Sequence, residues 1–510
     1  MLFKRNFLVY LIPQLLLLSG FAWQLMLLLA ANKGTFTFVL DDPYIHLALA
    51  ENIAKGHYGV NLQEFSAPSS SILWPFLLAP FAAWSVTPLI LNLAAAMFGV
   101  AAVSYFCIVR LSFLSLIAVS ILQFLLLVLG NWLGLIFTGL ENAWQVALSL
   151  CAIVSLLTSS ALWVPCVAAA LLPLIRYEGS LVSLLVVGWL LLTHRYRVAV
   201  LLMALILGPL LLFSFYLQGL DLGWLPSSIT AKSALSTSNL FVGFATTLYH
   251  NLYELEGTIL ALLTLPLIWV IFDNKRDLMS RYLALAWCGV VIGHLMGARV
   301  GNWGRYEIYL LLPLLLLLLA TYRDAWAKLY LQTPWAVMAL SFAFMMIVGK
   351  RYLVTSSMNA VGANNIYEQQ YQMHRFVTEF YRAPVAVNDL GWVSYQNDAY
   401  VLDLWGLASR EAQLARANAR SPQWMAQLTE NHQVGLAMIY VDAEWFQTIP
   451  ANWQIIGTLN LSEDKRRMTS NKRQVSFIAT EKSALTSIHS ALDAFIPTLP
   501  AGVTFQFHKQ

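Results

Sequence analysis

Long apolar runs set the first limit on what this chain can become. From Phe7 to Ala31 no residue is charged, and about 20 such residues suffice for a helix to cross a bilayer. Further runs follow at 89–109, 112–137, 141–158, 160–175, 179–193, 198–217, 256–272, 281–298, 304–321 and 333–349. In lipid every backbone N–H and C=O must be satisfied within the protein, so these runs predict helices. A soluble domain carries about 25% charged residues; this chain carries 11%. A soluble globular enzyme is excluded.

Basic residues set the expected orientation, because Lys and Arg gather on the cytoplasmic side. Lys4 and Arg5 precede the first run, which is too long for the roughly 7–15-residue core of a signal peptide. Arg110, "THRYR" (193–197), "DNKRD" (273–277) with Arg281, and "YRDAWAK" (322–328) mark the other inner loops. All fall inside only if 68–86, with Pro68, Pro75 and Pro80, does not cross. Proline costs about 3 kcal/mol in a helix interior, so an interfacial or re-entrant segment is expected there. The result is about eleven crossings, with the N-terminus inside and the C-terminus outside. Four polar stretches then share the outer face: 32–88, "TGLEN" (138–142), "RYEGS" (176–180) with 218–255, and "GARVGNWGRYE" (297–307). Charges near lipid are costly, so their collection on one side marks a functional site.

Beyond Lys350 the texture changes: 26 of the 56 charged residues lie in 351–510. "APVAVNDLGWVSYQNDAYVLDLWGL" and "VGLAMIYVDAEWF" predict short strands, and "EAQLARANARSPQWMAQLTENH" predicts helix. The expected fold is mainly α: a polytopic membrane helical bundle over 1–350 and a small extracytoplasmic α/β domain over 351–510. "SALSTSN" (233–239) reads as a loop. The net charge of +4 is scattered without a basic stripe, which argues against a nucleic-acid partner. Cys107, Cys151, Cys166 and Cys288 all lie in apolar runs, too dispersed for a thiolate metal site, and read as small hydrophobes.

Asp41 and Asp42 stand where the first run leaves the lipid. "DDPYIHLALAENIA" has the form of an acidic cap, an early proline and a helix. Two carboxylates at a water–lipid boundary also suit deprotonation of a hydroxyl or retention of a divalent cation. His46, one turn on, reads as an interfacial histidine or as part of that site.

The stretch "LDDPYIHLALAENIAKGHYGVN" resembles the GT-C superfamily of membrane glycosyltransferases, and within it the arabinofuranosyltransferase-like branch. "SAPSSSILWP", "TGLEN", "RYEG", "LPSSITAK" (225–232), "GRYEIYLLLP" and "VNDLGWVSY…VLDLWGL" follow in the order expected of that branch, over about 370 residues. Pro43 replaces a small residue usual after the carboxylate pair, and Ser227-Ser228 stand where the branch often has Asn-Thr. The resemblance implies a GT-C bundle in a bacterial plasma membrane. It implies an enzyme that moves one sugar, arabinofuranose in this branch, from a polyprenyl-phosphate donor to a glycan, lipid or protein acceptor on the outer face, with inversion. Asp41 or Asp42 would be the base. Lys232, Arg305, Arg299 and Arg176 would receive the departing phosphate, where cations stabilise developing charge. Tyr44, His46, Glu141, Glu178 and Asp389 would contact sugar or acceptor. A Mg or Mn ion held by Asp41 and Asp42 would be an optional cofactor. Each residue also has a plain reading: headgroup contact for Lys232 and Arg305, mutual pairing for Arg176 and Glu178, strand capping for Asp389 and Asp403. A flippase or transporter of lipid-linked sugars is the main rival, then a polymerase or ligase of whole glycans. The run of helices exceeds what a simple anchor needs.

Overall fold

The computed structural model describes residues 2–232, 240–419, 421–442, 444, 446–462, 468 and 472–508, without the side chains of 2, 3 and 230–232. "SALSTSN" (233–239) lies outside the described residues. All eleven apolar runs are helical. Seven helices are long and apolar enough to cross a membrane: Lys4–Ala31, Thr87–Arg110, Leu116–Thr138, Tyr196–Gly219, Leu255–Phe272, Leu278–Gly297 and Pro334–Tyr381. This is consistent with a multi-pass membrane protein. Ile308–Thr321 and Arg323–Gln332 make an eighth span only if taken together across their 74° bend. The remaining three runs form shorter helices, Asn142–Thr158, Trp163–Ile175 and Tyr177–Leu192.

The short helices have a physical reason. Asn142–Thr158 is buried almost throughout, between Thr87–Arg110, Trp163–Ile175 and Ile308–Thr321. It is a core helix of the protein rather than a lipid-facing one. Glu141 precedes it, Arg176 ends the next helix and Glu178 precedes the third, so all three meet at one buried polar cluster. The segment 68–86 contains only Leu73–Leu78 and a 3-10 turn at Ala79–Phe81, neither of membrane length.

The C-terminal part holds a six-stranded sheet, ordered β2-β1-β3-β5-β4-β6. The strands are β1 (Val385–Val387), β2 (Val401–Asp403), β3 (Leu436–Ile439), β4 (Gln454–Asn460), β5 (Gln474–Ala479) and β6 (Thr504–Phe507). β1 is parallel to β2 and β3, and the other pairs are antiparallel. Strand side chains alternate between faces. Ala386, Leu402, Ala437 and Ile439 pack with Ala412, Met425 and Leu428 from helices Arg410–Asn418 and Gln423–Asn431. Val385, Val387, Leu436 and Met438 face the other way, into the core continuous with the apolar helices. The expected boundary at 350/351 lies inside the long helical run Pro334–Tyr381, which includes π-helical turns and short interruptions at Met358 and Gln369.

The loop 32–88 and this sheet are one packed unit. Asn61 Nδ2 donates to Val401 O (2.9 Å) and its Oδ1 accepts from Val401 N (3.0 Å), covering the outer edge of β2 as a further strand would. Tyr395 O–H donates to Ala82 O (2.7 Å) and Thr37 Oγ1 to Ala363 O (2.8 Å).

Candidate functional site

The paired aspartates divide sharply. α1 (Leu2–Ala31) ends below them and α2 (Asp42–Ala54) begins at the second. Asp41 occupies the N-cap position of α2, yet its side chain makes no capping bond there. It is buried and reaches across to the C-terminal domain. Gly391 N–H donates to Asp41 Oδ2 (2.7 Å) and Trp392 N–H to Oδ1 (2.9 Å). Glycine is required at 391, because a Cβ would lie 2.5 Å from that carboxylate oxygen. Burial, reinforced by the carboxylate of Asp389, holds Asp41 well above the usual carboxylate range. Asp42 is the accessible member, 38% exposed, with Oδ2 3.5 Å from Arg305 Nη2.

Arg305 is 4% exposed. Its Nη2 donates to Tyr306 O–H (2.9 Å), and its guanidinium lies 4.8 Å from the Tyr306 ring centre. Arg305 Nε and Nη1 have no hydrogen-bond partner among the described residues. Arg176 lies over the same ring at 5.3 Å but is fully engaged by acids. Its Nη1 donates to Glu141 Oε1 (2.8 Å) and its Nη2 to Glu178 Oε1 (2.9 Å). Ser70 Oγ also donates to Glu141 Oε1 (2.8 Å), and His46 Nε2 stands 3.9 Å from Oε2. Burial alone would raise Glu141, but Arg176, His46 and the hydrogen bonds it accepts together outweigh it and hold the carboxylate below its usual range. The two arginines therefore differ: Arg176 neutralises buried acids, and Arg305 keeps donors in reserve beside Asp42.

The C-terminal domain contributes Asp389. Gln370 Nε2 donates to its Oδ2 (2.8 Å), with Tyr440 O–H at 3.3 Å. Burial first, then the nearby charge of Asp42, pushes Asp389 up to about 6. A carboxyl raised in the folded state binds more protons folded than unfolded between the two pKa values. Stability from this group therefore falls as pH rises from about 4 to 6. Asp389→Asn removes that slope. Thermal melts of parent and variant across pH 4–7 should converge at the acid end and separate above it, with the variant the more stable; parallel curves would refute the assignment. Asp403 has a different role, since its Oδ1 accepts from Trp405 N and its Oδ2 from Leu407 N and Ala408 N (2.9, 2.6 and 2.7 Å). It caps a loop, as one reading of the sequence expected.

The other candidates scatter. Tyr44 is fully buried, accepts from Phe38 N–H (3.0 Å) and stacks on Trp392 at 3.9 Å; it joins the two domains. His46 is buried, with Nδ1 3.1 Å from Ser69 Oγ. Arg299 is exposed, and it is its carbonyl that bonds, to His294 Nε2 (3.1 Å). Lys232 ends the helix Ser227–Lys232, and its side chain lies outside the described residues. Among the described residues no three His, Cys, Asp or Glu side chains are grouped to hold a metal. Each oxygen of Asp41 accepts one backbone N–H.

Tyr306, Ser70, Gln370, Trp392 and Tyr440 escaped the sequence reading. Tyr306 had a local signal, lying between Arg305 and Glu307 in "GRYE". Gln370 and Tyr440 had none, because only the sheet brings them to Asp389.

Residues 364–478 match the model of a domain of unknown function (DUF8728). No curated protein matches the sequence. The matched segment includes Gln370, Asp389, Gly391, Trp392 and Tyr440, the C-terminal half of the site, and covers a minority of the chain.

Proposed function

We propose that the protein is a GT-C-type membrane glycosyltransferase that uses a polyprenyl-phosphate sugar at the outer face of a bacterial plasma membrane. The observation that carries this reading is Arg305: a buried guanidinium with Nε and Nη1 unpartnered, beside the half-exposed carboxylate of Asp42. An unsatisfied buried donor on a charged group costs more than about 1–3 kcal/mol, and an anion that accepts from it removes that cost. A sugar phosphate ester meets both groups at once. Asp42 takes the proton of the acceptor hydroxyl, whose oxygen bonds to the anomeric carbon. The bond from that carbon to the phosphate oxygen breaks, and the polyprenyl phosphate leaves towards Arg305. Attack opposite the leaving group inverts the centre. The resemblance supplies arabinofuranose as the first sugar to try, with a glycan, lipid or protein hydroxyl as acceptor. Eleven crossings, with the C-terminal domain outside, belong to the same proposal.

The test is transfer by the purified protein in nanodiscs, from a panel of polyprenyl-phosphate sugars. Release of polyprenyl phosphate with a glycosylated acceptor is expected. Arg305→Ala should weaken binding of polyprenyl phosphate by about 10-fold or more, the worth of lost charge-assisted bonds. Movement of intact lipid-linked sugar between leaflets without transfer would replace the reading with the transporter.

A further inference from the structure

The turn before Arg305 has an unusual backbone. Gly301, Asn302, Trp303 and Gly304 all have positive φ, at 78°, 48°, 67° and 62°. Non-glycine residues rarely visit that region, and two in succession persist only where their surroundings hold them there. Here the surroundings are specific. Asn131 Nδ2, from the break between helices Leu116–Leu129 and Trp132–Thr138, donates to both Trp303 O (2.8 Å) and Gly304 O (3.0 Å). Ser356 Oγ donates to Asn131 Oδ1 (3.2 Å), fixing which way the amide faces. Glu307 closes the turn from the other end: its Oε2 accepts from Gly301 N–H (2.9 Å) and its Oε1 from Tyr352 O–H (3.0 Å). Trp303 Nε1 donates to Asn359 Oδ1 (3.2 Å). At 304 a Cβ would meet the Tyr352 ring at 2.9 Å and Asn131 Nδ2 at 3.0 Å, so glycine is needed for space as well as for its φ.

Two polar side chains thus anchor a strained turn whose next residue is Arg305. Arg305 N–H itself bonds back to Gly301 O (3.2 Å). The turn sets the point and direction at which the Arg305 side chain leaves the backbone.

We propose that Asn131 and Glu307 are positioning residues: they lock the 301–304 turn in its left-handed form and thereby aim the unpartnered donors of Arg305 at the phosphate of an anionic polyprenyl ligand. The inference rests on the reading of Arg305 given under the proposed function. Tyr352 and Ser356 belong to the helix Pro334–Tyr381 that runs into the C-terminal domain, so the same lock ties the aim of Arg305 to that domain.

Farnesyl phosphate is the probe, titrated against the full chain in nanodiscs, with hydrogen–deuterium exchange followed in peptides covering 298–308. Asn131→Ala and Glu307→Ala should speed exchange there and weaken affinity by about 10-fold or more, the worth of a charge-assisted hydrogen bond that a misaimed Arg305 no longer makes. Glu307→Gln keeps an acceptor for Gly301 N–H, and its NH2 can donate to the Tyr352 hydroxyl, which accepts as well as donates, so it should stay within about threefold of the parent. Tyr352→Phe removes a single donor and covers the case in which an alanine variant does not fold; it too should bind more weakly. Turn variants that exchange faster yet bind as the parent does would overturn the inference while leaving the role of Arg305 intact. A Glu307→Gln variant as weak as Glu307→Ala would also overturn it. A parent that binds no farnesyl phosphate would remove both the inference and the reading beneath it.

Discussion

Asp42→Asn is expected to transfer sugar at least about 10²-fold more slowly than the parent, the usual contribution of a general base, and to melt within a few degrees of it. The amide keeps the size of the side chain and can still begin a helix, but it takes no proton at neutral pH. Asp42 is half-exposed and its ion pair with Arg305 is long, at 3.5 Å. Asp41→Asn should behave in the opposite way. Its carboxylate accepts two buried N–H groups, and an amide has one oxygen for them. One donor is left unsatisfied, at about 1–3 kcal/mol, at the contact that joins the loop 32–88 to the C-terminal domain. A clear drop in melting temperature with a smaller loss of turnover is the expected signature. Turnover rates and melts of both variants, with purified donor and acceptor, decide the matter. A stable, inactive Asp41→Asn beside an active Asp42→Asn would reverse the two roles, and two active variants would remove the base from this pair altogether.

That division of labour was not legible in "LDDPYI". Adjacency on the chain predicts two carboxylates at one boundary, but their roles depend on Gly391 and Trp392, some 350 residues away. What could be read was whatever the bilayer or the local pleat dictates. Every apolar run became a helix, because lipid leaves the backbone no alternative. The segments "VAV", "VLD" and "LAMI", apolar but for Asp403, became β1 to β3, the parallel strands buried on both faces. β6, "TFQF", is largely exposed, and β4 mixes Gln, Gly, Thr and Asn with its apolar residues, so neither pattern stood out. Of the eleven runs, seven have helices of membrane length and composition, and the shorter ones show what hydropathy leaves open. Asn142–Thr158 has the composition of a membrane helix because it is surrounded by apolar protein, and hydropathy does not distinguish that from lipid. The site itself was half legible. Arg176 and Glu178 are neighbours in sequence and form a pair, whereas Glu141, which also binds Arg176, enters from another helix.

This last contact bears on both expectations for Arg176. The resemblance makes it a phosphate ligand, while its pairing with two carboxylates favours the reading as a partner of buried acids. Arg176→Met should therefore act on folding. It leaves Glu141, fully buried, without its counter-charge, and breaking a buried pair from one side costs about 3–5 kcal/mol. Burial would raise Glu141, and Arg176 is the largest of the contacts that together hold it below the usual carboxylate range, so without Arg176 it must be protonated or pull water into the core. The double variant Arg176→Met with Glu141→Gln removes the charge together with its partner and keeps an acceptor for Ser70 Oγ. It should recover much of the lost melting temperature, since neutral replacements of buried pairs are often close to neutral in stability. Farnesyl phosphate affinity of the double variant should remain near that of the parent, in contrast to Arg305→Ala. An Arg176→Met protein that melts like the parent but no longer binds the phosphate would return Arg176 to the donor site and make the Glu141 contact secondary.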